Sequence, residues 1–379
     1  MRIAFYAPMK PPDHPVPSGD RAMARLLLKA LAHGGHDVVL ASRFRTWQSL
    51  PDHSRQARLA VLGERLAARL ARRYAALPQR ERPQAWLTYH LYYKAPDFIG
   101  PVVAERLGIP YLLIEASLAY KRAGGSWDVG HRAALAAVEA AHTVMQINPE
   151  DAECIPPETR QSMFPAFLDG AGDRRAMAER SRLRDALAAR WQLPLDCPWI
   201  VAVAMMREDV KLASYRILAD ALSGLTALPW RLLLVGDGPA RPAVEAAFAR
   251  ALGEASARVR YLGIVPQAAV AEPLAAADLY AWPSINEAYG MALLEAQACG
   301  LAVVSGDRPG VAAILRDGET GFLVPTGQVQ PFAAALQRLL SDPALCRKMG
   351  AAAAANAAQR HDLAAAADAL SAVLREAVR

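Results

Sequence analysis

The sequence predicts an α/β protein built from two doubly wound domains, and three observations carry that expectation. The chain has 379 residues, more than one ordinary hydrophobic core accommodates. Residues 2–7 read as a buried strand, 8–19 as a Pro-rich loop, 20–33 as a helix and 37–41 as a second strand, the order of a βαβ unit. A second strand–helix series opens at residues 199–204, behind a stretch, 168–190, where Gly170, Gly172 and alternating Arg, Asp and Glu read as a linker leading into an exposed helix.

Composition bounds the function classes. A hydrophobic fraction of 53% describes a packed globular protein and excludes a disordered one. No apolar run approaches the roughly twenty residues needed to cross a bilayer. MRIAFYAPMK reads as a first strand and not as a cleavable leader, and a cytoplasmic protein is expected. Cys154, Cys197, Cys299 and Cys346 lack metal-ligand spacing, so reduced thiols are expected. The net charge of +6 suits nucleic acid, anionic lipid or phosphate-bearing ligands alike. The aromatic-rich basic signature of common RNA modules and zinc-finger spacings are both missing, so nucleic acid is set aside as a partner.

In the first half, the initial turn lacks the G-x-G-x-x-G of a dinucleotide-binding domain, which disfavours a dehydrogenase. It ends in Ser18-Gly19-Asp20, with Asp20 read as the helix N-cap. Residues 55–82 are rich in Arg, with Leu59, Leu62, Leu66, Leu70 and Tyr74 at helical spacing between them. This basic amphipathic helix is either a solvated domain helix or a contact for an anionic membrane face. Residues 85–90 and 110–114 read as strands flanking a helical segment, 95–107. His90 and Glu115 stand at the strand ends, where open α/β sheets bind ligands. His90 either meets a ligand or is structural. The following loop carries Lys121, Arg122 and Trp127 beside Gly124-Gly125. It is either a plain surface loop or an acceptor cover in which Trp127 stacks on a sugar and the cations meet a phosphate.

In the second half the run WPSINEAYGMALLEAQACG, residues 282–300, follows a strand at 277–282 and enters a helix over 291–299. Glu287 sits in the turn and Glu295 about two turns further on. The first backbone N–H groups of a helix lack internal partners and carry the positive end of its dipole, so those near Ala288, Tyr289, Gly290 and Met291 suit a phosphate. A carboxylate such as Glu295 suits two neighbouring hydroxyls. The bland alternative is a capping Glu287 and a solvated Glu295.

The run PSINEAYGMALLEAQACGLAVVSGDRPGVAAILRDGETGFLV resembles the donor-binding half of family 4 retaining glycosyltransferases. The matching residues are Pro283-Ser284, Glu287, Tyr289-Gly290, Leu294-Glu295-Ala296, Gly300, Val303-Val304, Gly310, Asp317-Gly318 and Gly321. The likeness is strong over most of residues 199–325 and weak over 1–165. It implies the GT-B fold, with two Rossmann-like doubly wound domains facing a central cleft: an acceptor-side domain at 1–170, a linker and exposed helix at 171–196, and a donor domain at 197–359. A terminal helix, about 360–379, would cross back onto the first domain.

The resemblance also implies roles. Arg207 and Lys211 would neutralise the donor diphosphate, whose negative charge grows as the glycosidic bond breaks. Glu287 would hold the transferring sugar, Glu295 the ribose, and backbone groups at Ile264 and Val265 the base edge. Gly236 would belong to a ligand-side turn, and Gly19 would let the first loop approach the donor. Three positions depart from the pattern: Tyr289 replaces the usual Phe, Leu212 a Gly and Glu115 a His. Glu115 works on the acceptor, contacts the donor, or replaces the His without equivalent chemistry. The implied reaction moves a sugar from a UDP- or GDP-type donor to a hydroxyl of a saccharide, lipid-linked or small-molecule acceptor in cell-envelope glycan synthesis. It would need no metal or cofactor. Rival readings are another GT-B enzyme, such as an epimerase or a phosphorylase, and a silent nucleotide-sugar-binding protein.

Overall fold

The structure, a computed structural model, describes every residue except Pro17 and Tyr289. The chain divides into two compact units, one of Met1–Pro165 with Leu363–Arg379 and the other of Ala166–Asp362.

The first unit holds a six-stranded sheet of β1 (Arg2–Tyr6), β2 (Asp37–Ser42), β3 (Ala85–Leu91), β4 (Tyr111–Ala116), β5 (Thr143–Gln146) and β6 (Gln161–Met163), in the order β2-β1-β3-β4-β5-β6. All pairings are parallel. The strands are therefore near-continuous apolar runs, because helices cover both faces of such a sheet; β4 is buried throughout. Strand order reverses between β1 and β3, and the carboxyl edge at such a switch point is where open α/β sheets in general receive ligands.

Sequence reading missed β6, which is three residues long and largely exposed, too short for a periodic signal. It also began the helix before β4 too early. Pro96 and Asp97 interrupt the chain there, and the helix is Gly100–Leu107. Asp97, 2% exposed, accepts hydrogen bonds from Ile99 N, Gly100 N, Thr88 Oγ1 and Tyr111 OH at 2.6–2.9 Å, tying the helix start to β3 and β4.

The basic helix is His53–Ala75, with Asp52 as its cap. Its fully buried seam consists of Gln56, Gly63, Ala67, Ala71 and Tyr74, with Leu66 and Leu70 half-buried against the core beside it, whereas Leu62 is 47% exposed. The reason is close approach, since a Cβ on Gly63 would lie 2.3 Å from Cβ of Phe98. The terminal region forms two helices, Pro343–Arg360 and Leu363–Ala377. The second lies along the helix Gly19–His33 within the first unit, where Ser371 meets His36 Nε2 at 2.9 Å.

The second unit repeats the plan with β7 (Trp199–Val203), β8 (Arg231–Val235), β9 (Val259–Gly263), β10 (Leu279–Trp282), β11 (Ala302–Gly306) and β12 (Gly321–Val324). The order β12-β11-β10-β7-β8-β9 is parallel throughout. It puts the switch point between β7 and β10. Trp199, Trp230, Trp282, Tyr215, Tyr280, Phe248 and Phe332 are fully buried. The stretch 171–196, expected as a linker, belongs to this unit and forms Ala171–Ala178 and Arg180–Trp191. Two of its arginines reach inward: Arg180 and Arg184 each pair with Asp278 at 2.9 Å, and Arg184 lies 4.2 Å from the Trp199 ring centroid. Among the described residues, no helix is long and apolar enough to cross a membrane.

Asp97→Ala leaves four buried donors short of an acceptor, so we expect a loss of about 3 kcal/mol or more by urea denaturation. A smaller loss is expected for Asp97→Asn, which keeps one acceptor oxygen. A cost under about 1 kcal/mol for the alanine would mean that this network does not support the sheet.

Candidate active site

At the β7/β10 switch point the two strand ends deliver opposite charges to one place. Asp209 caps the helix Val210–Ser223, and the chain before it carries an exposed Arg207. Lys211, in the first turn of that helix, reaches Glu287 in the loop after β10, Nζ to Oε2 at 2.5 Å. The Trp282 indole N–H donates to the same oxygen at 3.3 Å, and Lys211 Nζ lies 5.5 Å from the Trp282 ring centroid. Trp282 is held edge-on by Tyr215, whose hydroxyl donates to the Ala204 carbonyl at 2.8 Å. The pair is about one-fifth exposed on both sides, so solvent screens it less than a surface pair. Glu287 thus engages a lysine and an indole instead of capping a helix. Neither Trp282 nor Tyr215 was singled out as a site residue; Trp282 read only as the end of a strand, and their contacts arise only from the fold.

The helix after β10 is Met291–Ala298, preceded by Gly290 at φ 66°. Glu295 therefore lies just over one turn into it, closer to the mouth than the sequence suggested. Gly290 is needed twice over: its backbone is left-handed, and a Cβ would lie 2.7 Å from Leu293 and 3.2 Å from the Glu287 side chain. Ala288 is exposed and Met291 half-buried; the Tyr289 assignment lies outside the described residues. Glu295 Oε1 accepts from Gln267 Nε2 at 2.7 Å, which joins it to the loop after β9. In that loop Ile264 is 73% exposed and Val265 half-buried. Burial pushes the Glu295 carboxyl up to about 7, with Asp173 adding to the rise and the Gln267 bond opposing it. Gly236 follows β8 at φ 133°, where a Cβ would lie 2.0 Å from the Ala204 carbonyl. The β8 turn consequently packs directly on the segment leading to Arg207.

The first unit carries its own cluster at the corresponding edge. Ser18, not Asp20, caps the helix Gly19–His33: its backbone is extended and its side chain accepts from Arg21 N. Asp20 is thereby free to meet His90 at the end of β3, Oδ1 to Nδ1 at 2.9 Å. Gly19 is exposed, with open space around it. His90 and Glu115 both hold positive φ, 58° and 60°, a strained backbone for residues with side chains. Burial works against a charge on His90, but Glu115 and Asp20 outweigh it and hold the imidazolium up to about 9. Glu115 is 8% exposed and burial raises its carboxyl. Asp151 is raised by burial too, against hydrogen bonding from Ser117. Neither Asp20 nor Asp151 was predicted as a site residue, because a capping position and a helix start mask them locally.

Trp127 corrects the sequence reading. It is 4% exposed, packed edge-on to Tyr93 at 5.4 Å, and so has no face free to stack on a sugar. Arg122 lies over the Tyr93 ring at 5.3 Å, and Lys121 is exposed.

Two parallel, doubly wound sheets in one chain define a pair of Rossmann-like domains, and the likeness to solved structures identifies the architecture as GT-B. The Anabaena protein Alr3699/HepE in complex with UDP superposes with a TM-score of 0.70 at 16% identity, over 99% of this chain and 100% of that one. Residues 197–342 match the family model described as glycosyl transferases group 1. A D-inositol 3-phosphate glycosyltransferase of Rhodococcus erythropolis (strain PR4 / NBRC 100887) is 36% identical over 182 residues, 45% of this chain and 40% of the relative. The phosphatidyl-myo-inositol mannosyltransferase of Mycobacterium leprae (strain TN) is 36% identical over 159 residues, 41% of each chain. The matches thus span about two-fifths of the length of these relatives.

The Glu295 environment predicts a stability effect with a defined sign. Its folded value of about 7 exceeds the ordinary 4.5, so ionisation costs stability progressively as pH rises between those values. Glu295→Gln should melt higher than wild type at pH 8, with the gain shrinking toward pH 5. An identical difference in Tm at both pH values would show that the carboxyl titrates normally.

Proposed function

We propose that this chain is a retaining glycosyltransferase that moves a sugar from a UDP- or GDP-type nucleotide sugar to a hydroxyl of a saccharide or glycolipid acceptor in cell-envelope glycan synthesis. The observation that carries the reading is the Lys211–Glu287–Trp282 constellation at the β7/β10 switch point, with exposed Arg207 and half-buried Glu295 nearby. The group 1 match over the same unit supports it, as do the names of the relatives and the UDP in the Anabaena structure.

In this reading the second unit binds the donor. The diphosphate takes Arg207, Lys211 and the backbone N–H groups at the start of the helix Met291–Ala298. Lys211 is already paired, so donor phosphate exchanges one anionic partner for another while sugar hydroxyls take up Glu287. Glu295 and Gln267 receive the ribose, and the Ile264–Val265 backbone reads the base edge. The bond to the leaving diphosphate breaks as the acceptor oxygen attacks from the same face, and the departing phosphate oxygen accepts the acceptor proton. The two cations and the helix N–H groups bring to the diphosphate the positive charge that a metal ion would otherwise supply, and no protein nucleophile takes part in this reading. The first unit serves the acceptor through Glu115, protonated His90 and the exposed Lys121.

Arg207→Ala and Lys211→Ala should each weaken binding of a nucleoside diphosphate at least tenfold while changing nucleoside affinity little, measured by calorimetry. Equal losses for both ligands would remove these cations from the phosphate site.

We also propose peripheral contact with anionic membrane through the helix His53–Ala75. Arg55, Arg58, Arg65, Arg69, Arg72 and Arg73 are exposed on it together with Val61 and Leu62. Each basic residue near such a surface adds on the order of 1 kcal/mol. Co-sedimentation with phosphatidylserine vesicles at low salt should retain the protein and release it as salt rises. No retention on anionic vesicles would sink the proposal.

A further inference from the structure

The carboxyl edge of the first sheet gathers more negative charge than it neutralises. Asp20 comes from the start of a helix, Glu115 from the end of β4, and Asp151 from the short helix Pro149–Ala152 after β5. All three act electrostatically on the single imidazole of His90 at the end of β3. The other cation felt within the group is Lys10, which acts on Asp20. The Asp20 carboxylate is satisfied by His90 at 2.9 Å. Asp151 takes hydrogen bonds from Ser117 and Asn148. Glu115 is different. The Tyr89 hydroxyl is turned toward its carboxyl, yet Oε2 is buried and has no partner within hydrogen-bond distance.

An acceptor oxygen left without a donor, more than nine-tenths buried, costs on the order of 1–3 kcal/mol unless something supplies one. His90 does not supply it: its Nδ1 faces Asp20, and no hydrogen bond joins its other ring nitrogen to Oε2. A phosphate or carboxylate cannot supply it, since it brings no proton and meets three carboxylates. Among the described residues no three His, Cys, Asp or Glu side chains converge as ligands of a metal ion, so the group is not a metal cage. A primary ammonium meets both requirements: it carries three N–H donors and one positive charge. On a polyol scaffold, neighbouring hydroxyls would reach Asp151 or the partly exposed Asp20.

We propose that Glu115, with Asp151 and the Asp20–His90 pair, forms an ammonium subsite, and that the acceptor of this enzyme is an amine-bearing polyol such as an amino sugar or aminocyclitol. This rests on the glycosyltransferase reading for the word acceptor; the subsite itself rests on the first unit alone. His90 serves as a positioning residue, holding Asp20 and leaving Glu115 unengaged.

The test is calorimetry of the full chain at pH 7 with glucosamine, glucose and N-acetylglucosamine, and with UDP titrated separately. The amine should bind at least tenfold more tightly than the two neutral sugars. Glu115→Gln and Asp151→Asn should each remove most of that preference without changing UDP affinity, which also shows that the variants are folded. Equal binding of the three sugars, or a preference retained in both variants, overturns the subsite. Loss of UDP binding in wild type would count against the glycosyltransferase reading, and the amine preference would still decide the subsite.

Discussion

The second unit depends on how closely its strand-end loops approach one another. A Cβ on Gly236 would lie 2.0 Å from the Ala204 carbonyl, and one on Gly306 would lie 2.2 Å from the Pro283 carbonyl. Neither distance is compatible with any side chain. The turn after β8 therefore braces the segment leading to Arg207, and the end of β11 braces the loop leading to Glu287. Two flexible connections become a fixed frame, and charged side chains mounted on it are held near one geometry before any ligand arrives. Preorganisation of this kind lets a site stabilise a developing charge without reorganising during the reaction.

Both units place charged groups at the carboxyl edge of the switch point, but they balance them differently. In the second unit one lysine meets one glutamate, and an indole N–H completes the carboxylate. In the first, one imidazolium answers three carboxylates, and one of those is left with an unused oxygen. A balanced pair can exchange partners with a zwitterionic or anionic ligand. An unbalanced group has a standing preference for a cation.

The fold was legible because parallel strands covered on both faces must be apolar throughout, and runs such as β1, β4 and β7 write that constraint directly into the sequence. The placement of Glu287, Gly290 and Glu295 was legible for a related reason: they lie on one short turn and helix, where spacing and geometry coincide. Asp20 was misread because two neighbouring residues can cap the same helix, and backbone geometry decides between them; Ser18 is extended and takes the role. Trp127 was misread because a loop rich in glycine and charge suggests exposure, whereas Tyr93 and Lys94 bury its ring from distant chain. Gln267 left no signal, since its tie to Glu295 joins segments 28 residues apart.

Backbone conformation marks the same two edges. Among the described residues, the non-glycine positions with positive φ are His90, Glu115, Gln192 and Ser284. Three of these four stand at the carboxyl ends of β3, β4 and β10, and Gln192 alone terminates a helix, where such a turn is common. Each strained residue costs on the order of 1–3 kcal/mol and persists only where its surroundings over-determine it. For Ser284 the surroundings are evident: it is buried, and its hydroxyl accepts from Ser305 at 2.8 Å. For His90 the restraint includes the contact of its Nδ1 with Asp20 Oδ1 at 2.9 Å, and for Glu115 a strand that is buried along its whole length. The backbone at that edge therefore fixes the direction of both side chains before any ligand arrives, and a ligand there meets groups that need not be reoriented.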